Sequence, residues 1–447
     1  MDSLTLRFVL IGLLGLLMLI PMGFVSEIVQ ERGDRHRDVL GDIAASWGQA
    51  QVLSGPVLVV PFTVVEIFEN DVVDNDGSAR TVKKTVRQHR TARFLPQELT
   101  IDTTLSDEIR ERGIFRSLVY NAEVQVDAAF DQPDVDALSD AVETIHWDQA
   151  WISIGLSDTR AINQVSRFVW NHDDQTLSPG SRMEELPAGF HVPVLLARED
   201  QTYRLSMSLS TKGSGSFQFA PFGETTNVTV SSDWPHPSFQ GSALPNSHEI
   251  SSSGFTASWE VPHLARNYPQ AWVDDTPQQL FEFTAGVSMF ETVSLYSQIT
   301  RAVKYGLLFI GLTFLTLLIF ELIQKRTLHA VQYALVGVAL SVFFLVLLAL
   351  SEHLSFAKAY TVSAVLTILM ITVYTAAVLK SFARGLVIFA LLCALYAILY
   401  SLLQLEDYAL LMGTALLVVI IAALMIITRN LHLHSFFVSD NTIEGDG

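Results

Sequence analysis

Residues 305–323 read YGLLFIGLTFLTLLIFELI, nineteen positions with one charged side chain, Glu321, close to the end. A helix needs about 20 apolar residues to cross the hydrocarbon core of a bilayer, so this stretch predicts a transmembrane helix. Four further apolar runs follow and predict four more spans, at residues 330–350, 359–379, 386–403 and 408–427. The chain is therefore expected to carry a C-terminal five-helix α-helical transmembrane bundle, followed by a tail at residues 428–447.

One more apolar run lies near the other end of the sequence. Residues 8–25 carry no charge and follow Arg7. Cleavable signal peptides and uncleaved signal-anchors share this pattern. The segment Pro21-Met22-Gly23-Phe24 is a poor match to a small-x-small cleavage site. We therefore predict an N-terminal transmembrane helix of the signal-anchor type, preceded by residues 1–7.

The basic residues between the spans predict the orientation of the bundle. Lys358 is the one Lys or Arg in the turns after the third and fifth spans. The turns after the second, fourth and sixth spans carry five, namely Lys325, Arg326, Lys380, Arg384 and Arg429. Because cytoplasmic loops are enriched in Lys and Arg, residues 1–7 and 428–447 are expected in the cytoplasm. Residues 26–303 then face the periplasm, and the protein is expected in the bacterial inner membrane.

Residues 26–303 have the composition of a soluble domain. They contain 20 Lys/Arg and 38 Asp/Glu, which accounts for the whole formal net charge of −18. So acidic a domain repels a phosphate backbone, which excludes nucleic acid as a partner. Cys393 is the one cysteine in the sequence, so an intrachain disulfide is impossible.

Alternating side chains predict β-strands in this acidic domain. Val124, Val126 and Ala128 alternate with acidic and amide residues, and Leu205 and Met207 alternate with polar ones. A period of two is typical of half-buried strands, and the frequent Gly and Pro between them are typical of turns. The fold class predicted is an α+β membrane protein with a large, β-rich, sandwich-like periplasmic domain. Whether residues 26–303 form one domain or two stays open.

A search for catalytic motifs finds none. The sequence lacks a Gly-x-Ser-x-Gly elbow, a His-Glu-x-x-His pair and a phosphate loop ending in Gly-Lys-Ser/Thr. The twelve histidines show no spacing typical of metal ligands. We therefore predict no catalytic residue, cofactor or metal.

The most distinctive stretch outside the spans is residues 232–239, SDWPHPSF. Two prolines around a histidine restrict the backbone to an extended turn. Either this is a recognition loop that exposes His236, or it is a packed loop whose aromatic residues anchor it to the sheet. The candidate recognition residues are Asp233, Trp234, His236 and Phe239.

Ionisable residues are scarce within the predicted spans. Glu321 lies near the inner end of its span, and Glu352 and His353 lie at the outer end of theirs, as a candidate polar pair at the outer interface. The sequence has no proline after Pro277, so the C-terminal spans are expected to be unbroken. Ion-coupled carriers typically have ionisable groups at mid-depth and broken helices, so this pattern argues against one. A channel or a lipid-handling groove stays open.

The chain resembles a known family in several stretches along its length. They are SDWPHPSF at 232–239, Ser253-Gly254-Phe255 with Trp259, YSQITRAVKY at 296–305, QYALVG at 332–337, LALSEH at 348–353 and the end from LLMGT at 410–414 to TRN at 428–430. These stretches are similar to those of CreD, a family of bacterial inner-membrane cell envelope integrity proteins. The resemblance implies one N-terminal anchor, one large outward domain and a C-terminal bundle. It also implies a role in a two-component envelope stress response, linked to colicin tolerance and β-lactam response. It supplies no catalytic residues.

The leading hypothesis is a non-enzymatic protein that maintains the envelope through its periplasmic domain. Its expected partners are membrane lipids and an unidentified envelope component or periplasmic protein, and its oligomeric state stays open. A transporter or lipid-handling protein is one alternative. An enzyme of the cell wall or of its lipid precursors is another, with Glu352, His353 and His236 as the first residues to test.

Overall fold

The computed structural model describes residues 3–73, 79–184, 186, 188–197, 201–274, 280, 282–289, 295–324 and 328–404, with six further positions between 411 and 425. The chain divides into two compact units. The helical unit comprises Met1–Arg35 and Val293–Gly447, and the β-rich unit comprises His36–Thr292.

The helices of the described residues are α1 (Ser3–Leu17), α2 (Leu19–Trp47), α3 (Leu295–Gln324), α4 (Ala330–Ser351), α5 (Phe356–Val378) and α6 (Phe382–Gln404). Five helical segments among the described residues are long and apolar enough to cross a membrane, one of them N-terminal. Helices α3 to α6 coincide with four of the five spans predicted near the C-terminus. The remaining predicted span, 408–427, lies largely outside the described residues, and the predicted tail, 428–447, lies wholly outside them.

Pro21 explains why the N-terminal helix is recorded as two pieces. Proline has no N–H, so the carbonyl of Leu17, four residues earlier, loses its helical partner. The break is confined to that point, because Met18 N–H donates to Leu14 O (3.0 Å) and Met22 N–H donates to Met18 O (3.2 Å). Helix α2 then continues as far as Trp47, past the predicted end of the span at residue 25.

The β-rich unit contains two sheets. The strands of the described residues are β1 (Gln51–Val73), β2 (Ala79–Phe94), β3 (Glu98–Arg112), β4 (Phe115–Phe130), β5 (Val142–Ile145), β6 (Trp151–Leu156), β7 (Ile162–Trp170), β8 (Asp173–Asp174), β9 (Ser178–Pro179), β10 (Gly189–Pro193), β11 (Tyr203–Ser214), β12 (Ser216–Phe219), β13 (Thr225–Ser232), β14 (Pro237–Gly241), β15 (Ser247–Ser251), β16 (Gly254–Pro262), β17 (Ala271–Val273) and β18 (Ala285–Met289). One sheet has the order β14-β18-β12-β1-β6-β10-β9, with β2, β5 and β17 paired off this path. The other has the order β15-β16-β13-β3-β4-β11-β7-β8.

The alternating patterns identified in the sequence do form strands. In β4, Val124 and Val126 are buried whereas Glu123, Gln125 and Asp127 are exposed. Strand β11 repeats the pattern with Leu205 and the residues that follow it. Each strand therefore has one apolar face and one polar face, as expected for a sheet with one face solvated.

The two apolar faces meet in one hydrophobic core. Trp259 of β16 packs edge-on against Phe219 of β12, with the ring centroids 5.6 Å apart. Phe239 of β14 makes similar contacts with Phe255 (6.0 Å) and Trp259 (5.8 Å) of β16. Because β12 and β14 belong to one sheet and β16 to the other, these rings join the sheets, and the predicted sandwich-like fold is confirmed.

Candidate functional site

The segment 232–239 connects the two sheets, because Ser232 ends β13 in one and Pro237 begins β14 in the other. Contacts among its own residues hold the middle of the segment in place. The backbone N–H of Trp234 donates to Ser232 Oγ (3.2 Å), and the indole N–H donates to the carbonyl of His236 (3.2 Å). The rings of Trp234 and His236 lie edge to face, 5.8 Å apart. The loop is therefore held in one conformation by its own side chains.

The four candidate recognition residues divide into two groups. Phe239 is half-buried and packs into the core between the sheets, so it anchors the loop. Trp234 is also half-buried, whereas Asp233 and His236 are exposed. Packing thus accounts for the aromatic residues of the segment, whereas Asp233 and His236 remain exposed. The recognition role itself stays a prediction.

Asp233 lines an open cleft of about 410 Å³ in the β-rich unit. The other carboxylate in its lining is Glu249 of β15. Six lining residues carry hydroxyl groups, namely Thr104, Ser231, Ser232, Ser251, Ser253 and Thr256. We call this feature the hydroxyl cleft. No Lys or Arg is among the residues that line it.

The strand register aligns part of this lining into a row. Glu249 is opposite Thr256, Thr256 is opposite Ser231, and Ser231 is opposite Thr104. These four residues come from the adjacent strands β15, β16, β13 and β3. Directly opposite residues on neighbouring strands have Cβ atoms about 4.5–5.5 Å apart, so their polar groups lie side by side. The hydroxyls of Thr104 and Ser231 are accordingly within hydrogen-bonding distance, at 3.3 Å.

The sequence pointed to Asp233 but not to the rest of the cleft. Long stretches of chain separate Thr104, Ser231 and Thr256. Each lies on the polar face of a strand in which apolar and polar residues alternate. That position alone indicates only solvent exposure. The pairing of the strands is what brings these hydroxyls together, and no local pattern encodes that pairing.

A second polar cluster lies where β1, β2 and β5 meet. The Thr63 hydroxyl is 3.2 Å from His89 Nδ1 and 2.9 Å from His146 Nε2. Two imidazoles and a hydroxyl are fewer strong ligands than a structural zinc site uses. Among the residues that the structure describes, no group of three or more His, Cys, Asp or Glu could hold a metal ion.

At the end of the bundle that the sequence predicts to face outward, the two predicted polar residues behave differently. Glu352 has a side chain only 10% exposed, accepts a hydrogen bond from the Tyr296 hydroxyl (3.3 Å) and lies 3.8 Å from Arg32. His353 is exposed. Glu352 thus links α4 to α2 and α3 within the helical unit. The sequence did not indicate Arg32 or Tyr296 as its partners, because Arg32 is 320 positions away along the chain.

Several buried serine and threonine hydroxyls in the described part of the bundle donate to backbone carbonyls one turn earlier. Ser341 donates to Gly337 O (2.9 Å), Ser363 to Ala359 O (2.8 Å) and Thr367 to Ser363 O (2.9 Å). The cavity lined by Tyr333 and Tyr374 has a volume of about 10 Å³, which is about the space of one water molecule. Because these hydroxyls donate to carbonyls of their own helices, they stabilise the helices locally. This argues against their lining a polar path.

Glu321 is buried at its position near the end of α3. Its carboxylate accepts a hydrogen bond from the hydroxyl of Tyr333 on α4 (3.0 Å), which is also buried. A carboxylate in this setting needs a donor, because burial without one costs several kcal/mol. The contact therefore accounts for the one acidic residue in the first C-terminal span.

The family described as "Inner membrane protein CreD" matches residues 3–434. The inner membrane protein CreD of Escherichia coli (strain K12) is 33% identical over 427 residues, which cover 94% of this chain and 92% of the relative.

Two solved structures show only a weak likeness to this chain. One is the M1 zinc metallopeptidase from Deinococcus radiodurans, and the other is a two-domain M1 zinc metallopeptidase bound to L-arginine. Each is 12% identical, with a TM-score of 0.21, and the match covers 44% of this chain and 42% of theirs. The chain thus spans less than half of these enzymes, and scores this low carry no argument about fold or activity.

The family match spans the helical and the β-rich unit alike, and it confirms the resemblance seen in segments 232–239, 296–305 and 348–353. The chain belongs to the CreD family of inner membrane proteins.

Proposed function

We propose that this chain maintains the cell envelope under stress by binding an envelope component through its β-rich unit, without catalysing a reaction. The observation that carries the proposal is the hydroxyl cleft, where four adjacent strands and the turns that follow them present hydroxyls and two carboxylates to one open space. Such a surface suits the recognition of a polar partner. The membership of the CreD family supports a setting in a two-component-regulated stress response, linked to colicin tolerance and β-lactam response.

Crosslinking in living cells tests this proposal. A photoreactive amino acid is placed at Thr256, which lines the cleft, or at His236, three residues after the lining residue Asp233; both positions are exposed. Cells are irradiated during β-lactam exposure, and the adducts are identified by mass spectrometry. We expect both positions to capture the same envelope component. Ser206, which is exposed on the same sheet but outside the cleft, is the matched control.

The proposal requires a result that depends on position. If His236 and Thr256 give the same adducts as Ser206, or none, the β-rich unit does not bind through this cleft and the proposed function is wrong.

We further propose that both termini are cytoplasmic and that the β-rich unit is periplasmic. Alkaline phosphatase is active only outside the cytoplasm, and green fluorescent protein exported through the general secretory route is dark. Fusions after Arg326, Arg384 and Arg429 should therefore be fluorescent and lack phosphatase activity, and a fusion at Glu406 should give the opposite result. The basis is the five-to-one excess of Lys and Arg in the turns assigned to the cytoplasm. Phosphatase activity after Arg326 would invert the proposed topology.

A further inference from the structure

The chemistry of the hydroxyl cleft restricts what it can bind. A hydroxyl both donates and accepts hydrogen bonds, whereas a carboxylate only accepts. The six hydroxyls therefore match a ligand with many groups that both donate and accept hydrogen bonds. The two carboxylates match additional donors on the same ligand. A sugar chain has this property.

Charge excludes the anionic ligands. Asp233 and Glu249 line the cleft, no Lys or Arg does, and the surrounding sequence carries the whole net charge of −18. A phosphate or sulfate group would meet like charges with no cation to balance them, which costs binding energy.

A cationic peptide fits less well than a neutral sugar. It would use the two carboxylates and leave most of the six hydroxyls without a role. The row formed by Glu249, Thr256, Ser231 and Thr104 instead presents polar groups at the regular spacing of adjacent strands, about 4.7–4.9 Å. A ligand with hydroxyls distributed along its length can contact such a row at several points at once.

The aromatic residue Trp234 directly follows the lining residue Asp233, and its half-buried indole packs against the core. The backbone of Trp234 is hydrogen-bonded to Ser232, a lining residue, and its indole is half-buried with its N–H already engaged by His236. An indole whose polar end is satisfied offers an apolar face, and the C–H face of a sugar ring can pack on such a surface.

We propose that the hydroxyl cleft binds a neutral saccharide chain. This inference rests on the proposed function, because it names the chemical class of the envelope component that the β-rich unit binds.

Calorimetry on the full chain tests the inference. The protein is reconstituted in lipid nanodiscs, since glucoside and maltoside detergents carry sugar headgroups that would compete. The probes are tetra-N-acetylchitotetraose, maltotetraose and tetralysine. We expect at least one of the two saccharides to bind, and the comparison between them separates an N-acetylated glycan from a plain glucan.

Paired variants identify the site of binding. The double variant Ser231→Ala/Thr256→Val removes two hydroxyls from the cleft and should weaken saccharide binding at least tenfold. Thr229→Val/Ser208→Ala removes two hydroxyls from the same sheet face outside the cleft, and it should change the affinity less than twofold. If neither saccharide binds at millimolar concentration, or if both double variants weaken binding equally, the inference is overturned. Binding of tetralysine alone, abolished by Asp233→Asn/Glu249→Gln, would identify a cationic ligand and also overturn it.

The failure of this inference is distinguishable from the failure of the proposed function. If His236 and Thr256 capture one identified envelope protein in cells while no saccharide binds in nanodiscs, the proposed function stands and the saccharide assignment is wrong. If neither experiment gives a specific result, both are wrong.

Discussion

Replacing Trp259 with alanine is expected to lower the free energy of unfolding of the β-rich unit by about 3–5 kcal/mol. The side chain is only 2% exposed, and it packs edge-on against Phe219 and Phe239 of the opposite sheet. Its indole N–H also donates to the carbonyl of Ala243 (3.3 Å). The substitution therefore leaves a cavity at the point where the two sheets are joined and removes the donor to a carbonyl.

Urea unfolding of the full chain in nanodiscs, followed by tryptophan emission, measures this effect. All seven tryptophans lie between residues 47 and 272, so the emission reports on the β-rich unit, and six of them remain in the variant. Trp234→Ala is the matched control, because it removes the same chromophore from a half-buried position. We expect it to cost less than half as much. A loss below about 1 kcal/mol for Trp259→Ala would contradict the role of this residue in joining the sheets.

Replacing Asp158 with alanine should have the second largest effect, a loss of about 2–3 kcal/mol at pH 7, typical for removing a charged acceptor of several hydrogen bonds. The Asp158 side chain is 5% exposed. It accepts two hydrogen bonds from the guanidinium of Arg160 (2.9 and 3.1 Å) and one from the backbone N–H of Gln49 (3.3 Å). Without the carboxylate, the N–H of Gln49, two residues before β1, loses its partner.

This contribution should depend on pH in a defined direction. The hydrogen bonds from Arg160, and then those from the backbone N–H groups of Gln49 and Arg160, hold the pKa of the Asp158 carboxyl below its usual range. A group with a lowered pKa in the folded state stabilises the protein above its unfolded pKa, which is about 3.9 for aspartate, and loses this effect as the pH falls through the folded value.

Urea unfolding at pH 7 and at pH 3 checks the sign. The difference in stability between the wild type and Asp158→Ala should be full at pH 7 and smaller at pH 3. Arg160→Ala is the control, since the Arg160 side chain is 71% exposed and its loss should lower the stability less than the loss of Asp158 does. An equal difference at both pH values would show that Asp158 acts by packing and not as a charge.

The sequence was most informative where a pattern is local. The predicted span at residues 330–350 and the observed helix Ala330–Ser351 nearly coincide, because apolar length alone defines a membrane helix. The strands around Val124 and Leu205 were likewise predictable from alternation. The division of the strands into two sheets was not, because β1 pairs in parallel with β12, and β3 with β13, across more than 100 residues.

In the candidate site, too, only the local features could be predicted from the sequence. The prolines and aromatic residues of segment 232–239 are adjacent in the sequence, so the loop could be identified from its composition. Thr104, Glu249 and Thr256 could not be, since their proximity exists only in the register of four strands. Arg32 and Tyr296 were missed for the same reason, because only the packing of helices brings them to Glu352.

The position of β1 also has a kinetic consequence. Its first residues, Gln51 to Leu53, pair with Phe217 to Phe219 of β12, and β12 in turn pairs with Ala285 to Ser288 of β18. The strand made first therefore cannot pair with β12 until Phe219 has been synthesised, and its sheet is not complete until β18 follows at the end of the β-rich unit. Closing such long loops is slow, and the unpaired edges exposed in the meantime are prone to aggregate. Folding of this unit should thus be a late event in biogenesis, completed only as the ribosome reaches the next membrane helix.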